Sequence, residues 1–441
     1  MSSSRVERAL ASLILLSLPV LFGRARGAAS EFPGDFAVNW TAAQALRRGI
    51  SLYDRERLRA LGVELIGPRM RGFFGNTFDS YVGPPTTAYL FVPFTAFEFE
   101  RSTMLYRACA ALGFALAAAL CVLALPAGDR KRGALLGTLF LTTSFAVPVS
   151  VSLGQLDAFI ALALAAGLWA VRRRKGILGG ASFGLAALLK VSPGLVLACA
   201  LLRRQRTLAL TGAVTILGFL GAAEIASRGE TATFLGIVAP QLSRGSFGMD
   251  NQSLPGWISR LVLPYADLTD FLIEAGGVSR LAPLIAAVLL GLVFLRMRRR
   301  PFEPFEVCLV ILAGLLAGPL TWTQYTSWGL IFAVSLAERS KWQGLDRAVR
   351  RRALGLVTAG WVLLALRVYL LPHRFDPTKI FEAASVSAHG WLRLLSGAQA
   401  FGLLTWFVAG LVLIGSDGLR RPASVGEATG SAPASTPRGS S

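Results

Sequence analysis

The sequence predicts an all-α, polytopic membrane protein with about 12 transmembrane helices and external loops that carry short interfacial helices. Three observations predict it. Long apolar runs recur along nearly the whole chain of 441 residues. Only 16% of the residues are charged and mean hydropathy is +0.56, too little charge for a soluble chain of this length. Basic residues fall in short clusters between the apolar runs, which is the pattern of cytoplasmic loops. The formal net charge of +20 is made mostly of those clusters, so it marks topology rather than a nucleic-acid-binding stripe or a lipid-head site, and the apolar runs make membrane lipids the neighbours. Cys109, Cys121, Cys199 and Cys308 all lie in apolar segments with no CxxC pair, which argues against a disulfide framework or a zinc site. His373 and His389 are the only histidines. No internal repeat is evident, nor the inverted halves of a typical transporter.

Taken in order, Arg5 and Arg8 precede an apolar run from Ala9 to Phe22. That run is either a short first span or a signal peptide with a cleavage region at Gly27-Ala-Ala. Residue 24 onward emerges outside in both cases, as a first large external loop over 24–102. Inside this loop Ala37, Trp40, Ala43 and Leu46 keep helical spacing from about Phe36 to Arg48, and Gly49 is a natural stop. Asp35 stands at the N-terminus of that helix, where Asp is a good cap. Pro84-Pro85 forces an extended or turn entry. Thr86 to Phe97 is too short to span and reads as re-entrant or interfacial.

Spans then alternate with clusters of opposite sidedness. Thr103–Leu125 leads in to Asp129-Arg-Lys-Arg132, and Gly133–Val151 leads out to Gly154-Gln155-Leu-Asp157. The next span ends near Val171, before Arg172-Arg-Arg-Lys175. Ile177–Leu202 is too long for one span and holds Lys190-Val-Ser-Pro193 at its centre, so it reads as a hairpin with Lys190 at the outer turn. Leu208–Ala226 leads out to a second large loop, 227–280, which carries Met249-Asp-Asn251-Gln252-Ser253-Leu-Pro-Gly256. Pro283–Leu295 returns to Arg296-Met-Arg-Arg-Arg300. Phe305–Leu320 leads out to Thr321-Trp322-Thr-Gln324-Tyr325, and Ser327–Leu336 leads in. Ala353–Leu371 and Phe401–Ile414 complete the set. Residues 1–421 read as one transmembrane domain, and the Ser-, Ala-, Gly- and Pro-rich 422–441 as a disordered cytoplasmic tail. Both termini are expected inside, in a multi-pass plasma (inner) membrane protein. Asp35, Gly154–Asp157, Lys190, Asn251–Ser253 and Trp322–Tyr325 all fall on the outer face, which describes one extracytoplasmic site.

These motifs, in this order, resemble a known family. Gly34-Asp35-Phe36, Ala42-Ala43, Gly49 and Leu52-Tyr53-Asp54 look like the opening motif of the DUF2029 family, glycosyltransferase family 87. Tyr81-Val-Gly-Pro-Pro-Thr86 with Phe91-Val-Pro93, Gly154-Gln155-Leu-Asp157, Gly179-Gly180 with Leu188-Leu-Lys190-Val-Ser-Pro193, and Asn251-Gln252-Ser253-Leu fit as well. The resemblance covers roughly residues 30 to 335, and the family includes polyprenyl-phosphomannose-dependent α-mannosyltransferases. It implies a GT-C fold and a polyprenyl-phosphate sugar donor. It implies no metal or other cofactor, and inverting transfer to a lipid or glycan acceptor at the outer face. The acidic residue of the first external loop would be the general base, which is Asp35 here. Family members often carry a His in a Ser-Trp-x-His-Tyr type motif. This chain has Gln324 there, which can hydrogen-bond but cannot exchange a proton, so that position's acid–base role does not carry over.

Each candidate has a plainer reading. Asp35 is a base that takes the acceptor's proton, or a helix cap. Lys190 holds the donor phosphate as a point charge, or pairs with Asp157. Gln155 and Asp157 bind sugar hydroxyls, or cap a helix. Asn251 and Gln252 suit sugar recognition, or form the turn before Pro255. Trp322 stacks on a sugar, or anchors at the interface. Gln324 and Tyr325 complete the set, with Arg244 and Arg367 as further phosphate partners. A transporter or flippase for a polar lipid or solute is the alternative, but it would place polar residues at mid-depth on several spans.

Overall fold

The structure is a computed structural model that describes residues 32–73, 80–246, 251–262, 278, 280–343, 345–366 and 396–415. The run 9–22, the region near Gly27, Met249, Arg367, both histidines and the tail lie outside the described residues. Helices make up the described chain; no strand occurs there, only an isolated antiparallel bridge between Asn251 and Trp322. Among the described residues two helices are long and apolar enough to cross a membrane, Phe99–Ala124 and Arg206–Ser227, and a bent pair, 127–143 with 146–153, makes a third if it is one span. Four shorter apolar helices accompany them. Helix length alone therefore supports fewer crossings than the about 12 expected, because many helices fall short of the roughly 20 residues that a full span needs.

Helix α1 (Gly34–Arg48) begins earlier than expected and ends on Gly49 in the left-handed region. It is buried on most of its circumference, not along one stripe. Phe36 lies 5.9 Å from Phe91 and 5.1 Å from Tyr106, ring centre to ring centre. Trp40 donates to the Phe94 carbonyl and Arg47 to Thr95. These contacts clamp α1 onto α3 (Pro85–Phe91) and the first long helix α4 (Phe99–Ala124), and α1 also packs on α2 (Arg55–Ile66). The expected span 133–151 is two helices, α5 (Arg130–Thr143) and α6 (Ala146–Leu153), bent by 60°. Pro148 explains the bend: its ring would collide with the carbonyl of Ser144 in a continuous helix.

Next come α7 (Asp157–Arg172), α8 (Gly176–Leu189), α9 (Gly194–Leu202) and α10 (Arg206–Ser227). Glycines on α8 fix their directions. Gly176 faces Thr207, Gly180 faces Leu208 and Thr211, and Gly184 faces Gly212 and Thr215, so α8 and α10 run parallel in backbone contact. Leu197 of α9 also meets Gly212. The chain therefore reverses between Gly184 and Leu197, a hairpin with Lys190–Pro193 at its tip. Beyond it lie α11 (Leu254–Val262), α12 (Leu281–Met297), α13 (Pro304–Ala317), α14 (Gly329–Ser335), α15 (Arg347–Ala365) and α16 (Ala398–Gly415).

One end of the helix set gathers the basic clusters. Arg203 pairs with Glu306 at 3.0 Å and donates to the Arg300 carbonyl. Arg339 pairs with Asp129 at 3.2 Å, Arg172 with Glu338 at 3.8 Å, and Lys341 with Glu303 at 2.6 Å. The hairpin tip, the start of α7 and the start of α1 lie at the opposite end.

Candidate active site

Asp35 sits in the first turn of α1, half-buried. It is not the N-cap: Pro33 holds that position, its carbonyl accepting from the Ala37 N–H at 2.9 Å. The cap expectation is thereby corrected. The helix starts earlier because Pro33 and Gly34 already turn the chain, with Gly34 N–H donating to the Phe32 carbonyl. Directly beneath lies the turn after α6, where Gly154 adopts φ 77°. A Cβ on Gly154 would fall 2.3 Å from the Phe36 Cβ, so this close approach and the left-handed φ both require glycine. Tyr106 of α4 donates to the Gln155 carbonyl at 2.8 Å and holds the same turn. The Gln155 side chain itself is half-buried.

Asp157 opens α7 and is fully buried. Ser150 Oγ donates to its Oδ2 at 3.2 Å and Trp328 Nε1 donates to its Oδ1 at 3.1 Å. Leu156, not Gln155 or Asp157, occupies the cap position of α7, and no side chain caps it. The capping alternative is therefore corrected, because the carboxylate is turned inward to Trp328. Lys190 lies at the hairpin tip. Its ammonium sits 3.3 Å from the centre of the Tyr325 ring, a cation–π contact. No ion pair joins Lys190 to Asp157 among the described residues. Lys190 nonetheless interacts electrostatically with both Asp157 and Asp35, and Tyr106 and Tyr325 lie in the field of the same two carboxylates. Asp35, Asp157, Lys190, Tyr106 and Tyr325 thus form one cluster.

Tyr325 and Trp328 share a 3-10 helix, Thr323–Trp328. Residues three apart eclipse in a 3-10 helix. Their rings accordingly stack, 5.6 Å apart and within 2° of parallel. Gln324 is 7% exposed, and no side-chain hydrogen bond is made by it among the described residues. Trp322 is half-buried beside it.

Asn251 and Gln252 reach this loop but serve backbone. The Asn251 amide donates to the carbonyls of Ser246 and Pro319 and accepts from the N–H groups of Ser253 and Thr321. Gln252 N–H donates to the Thr321 carbonyl and its side chain to the Ser396 carbonyl. Arg260, fully buried on α11, donates to the Asn251 carbonyl and to Ser396. Arg244 is exposed. Tyr53 and Tyr81 donate to the carbonyls of Gly83 and Pro84. Burial pushes both phenols up from their ordinary value, so they remain neutral and pin the turn that starts α3.

Sequence reasoning missed Trp328, Ser150, Tyr106 and Arg260. The i, i+3 spacing of Tyr325 and Trp328 was the available signal for one of them; the others owe their place to distant partners. A family model for glycosyltransferase family 87 matches residues 81–323, more than half of the chain. Lys190, Gln155, Asp157, Asn251, Gln252 and Trp322 fall inside the match, whereas Asp35, Gln324 and Tyr325 flank it. No curated protein matches the chain.

Proposed function

Because the chain belongs to glycosyltransferase family 87, we propose that this membrane-embedded glycosyltransferase moves a hexose, mannose by the resemblance, from a polyprenyl-phosphate donor to a lipid or glycan acceptor. Transfer takes place at the extracytoplasmic face of the plasma membrane. The basic end of the helix set then faces the cytoplasm with both termini, as positive charge directs.

The observation that carries this reading is the placement of the Asp35 carboxylate and the Lys190 ammonium in one electrostatic cluster. An acceptor hydroxyl holds its proton tightly at neutral pH. Asp35 takes that proton as the oxygen attacks the anomeric carbon. The bond from that carbon to the phosphate oxygen breaks on the opposite face, so configuration inverts. Polyprenyl phosphate leaves as an oxyanion, and the Lys190 ammonium stabilises the charge that develops on it. Gln324 offers a donor and an acceptor to sugar hydroxyls. Trp322, Tyr325 and Gln155 line the same region, and Asn251 and Gln252 hold its loops.

The test is purified protein in lipid with a panel of polyprenyl-phosphate sugars, following loss of donor and gain of glycosylated acceptor. Consumption of one donor is expected. If every donor survives while the protein speeds movement of polyprenyl phosphate across vesicle bilayers, the flippase reading replaces this one.

A further inference from the structure

Asp157 is the most enclosed carboxyl group of the site, and its partners are an indole and a hydroxyl of the protein itself. Each oxygen accepts one bond, from Ser150 and from the Trp328 indole. The indole stacks parallel to Tyr325, and the Tyr325 ring also carries the Lys190 ammonium over its centre. A continuous chain of contacts thus runs from carboxylate to indole to phenol to ammonium. It joins α7, the 3-10 helix before α14 and the hairpin tip. We propose that Asp157 and Trp328 are positioning residues that set where the Lys190 ammonium stands, through the face of Tyr325.

The physical argument has three links. A lysine stem has four rotatable bonds and much rotamer entropy to lose, so a bare hairpin tip would not hold its ammonium in one place. The Tyr325 face gives the ammonium a fixed partner without neutralising it, which leaves its charge for an oxyanion. The ring can serve only if its plane is fixed, and stacking on an indole with an anchored N–H fixes it. Chemistry at the far end of the chain is not required of Asp157: what matters is an acceptor for the indole. Asn in its place keeps that acceptor, and the Tyr325 hydroxyl is not part of the chain.

This inference rests on the proposed role of Lys190 toward a phosphate, so its test includes a readout that needs no substrate. The amine reactivity of Lys190 in the full-length protein is measured by limited acylation and mass spectrometry, with Lys131 as internal reference. Trp328→Phe keeps an aromatic ring but loses the N–H, and should change Lys190 labelling about 3-fold or more relative to Lys131. Tyr325→Phe should leave it within about 2-fold of wild type, and Asp157→Asn, which removes a nearby negative charge but keeps the acceptor for the indole, should change it less than Trp328→Phe does. With polyprenyl-phosphate mannose as the donor probe, Trp328→Phe should lower kcat/KM for the donor roughly 10-fold, in kcat as well as in donor KM, with acceptor KM within about 2-fold. Unchanged Lys190 labelling in folded Trp328→Phe overturns the inference, as does a uniform loss across kcat and both KM values. Asp157→Asn labelling that departs as far as Trp328→Phe also overturns it, because charge rather than the hydrogen bond would then be at work. Altered labelling in Trp328→Phe with no sugar transfer even by wild type would sink the proposed reaction and leave the positioning chain standing.

Discussion

At the scale of single residues, Asp35 is where structure and chemistry separate most cleanly. It occupies the first turn of α1 without capping it. A carboxylate there gains about 0.3–1 kcal/mol from the helix dipole, and Asp35→Asn gives up that gain together with its attraction to Lys190. Loss of a general base is far larger, about 10²–10⁴ in rate or roughly 3–5 kcal/mol of barrier. Asp35→Asn should therefore keep its thermal midpoint within a few degrees, bind donor normally and transfer almost no sugar. Near wild-type turnover by that variant would place the base elsewhere. Gln324→Ala is the contrasting change. Its amide is buried without a side-chain partner among the described residues, so its removal should raise KM modestly and spare kcat. Lys190→Met should weaken donor binding more than it lowers expression, since it removes an attraction to Asp157 but breaks no direct ion pair.

At the scale of elements, two glycines hold the pieces that carry these residues. Gly154 combines φ 77° with a would-be Cβ contact of 2.3 Å to Phe36. A side chain in the left-handed region costs about 1–2 kcal/mol before any clash is relieved. Gly154→Ala should consequently push α1 off the turn, lower the thermal midpoint and reduce turnover together. Gly184 differs, because it lies within a helix, where alanine is favoured over glycine by roughly 0.5–1 kcal/mol. Its Cβ would still fall 2.7 Å from the Gly212 carbonyl, which is backbone and cannot swing away. Gly184→Ala should shift α8 against α10 and carry the hairpin tip with it. Donor KM should rise in that variant with less loss of stability than in Gly154→Ala. Equal loss of stability in the two variants would show that backbone conformation at Gly154 contributes nothing.

At the scale of the whole molecule, charge divides the helix set into two ends. The basic end is laced by buried and half-buried ion pairs, of which Arg203–Glu306 is the deepest, with side chains 6% and 0% exposed. Removing one partner of such a pair typically costs about 3–5 kcal/mol, because the other charge is stranded. Arg203→Met alone should therefore express poorly, and Arg203→Met with Glu306→Leu should recover. Sidedness has its own test. Ser51 and Ser243 are exposed near the site end, and Ser340 is exposed at the basic end. Cysteines at the first two should react with an impermeant thiol reagent on intact cells, and one at Ser340 should not. External labelling at Ser340 would undo the single-face reading and revive a transporter.

The sequence by itself determined what depends on local pattern. Apolar runs and basic clusters specify a helical membrane protein and bring Asp35, Asp157, Lys190 and the Trp322–Tyr325 loop to one side, because span length and loop charge are read a few residues at a time. Gly49 marked the end of α1, and Lys190–Pro193 marked a hairpin tip, for the same reason. The bend at Ser144 was also legible, in Pro148, although apolar length alone read straight through it. Only the tertiary structure decided what each polar side chain is for. Asp157 finds Trp328 across 171 residues of sequence and Asn251 finds Thr321 across 70, and no local pattern encodes such distances. A buried polar group is defined by whichever partner satisfies it. Asp157 and Asn251 are candidate sugar ligands while their partners are unknown, and the fold supplies an indole to one and backbone to the other.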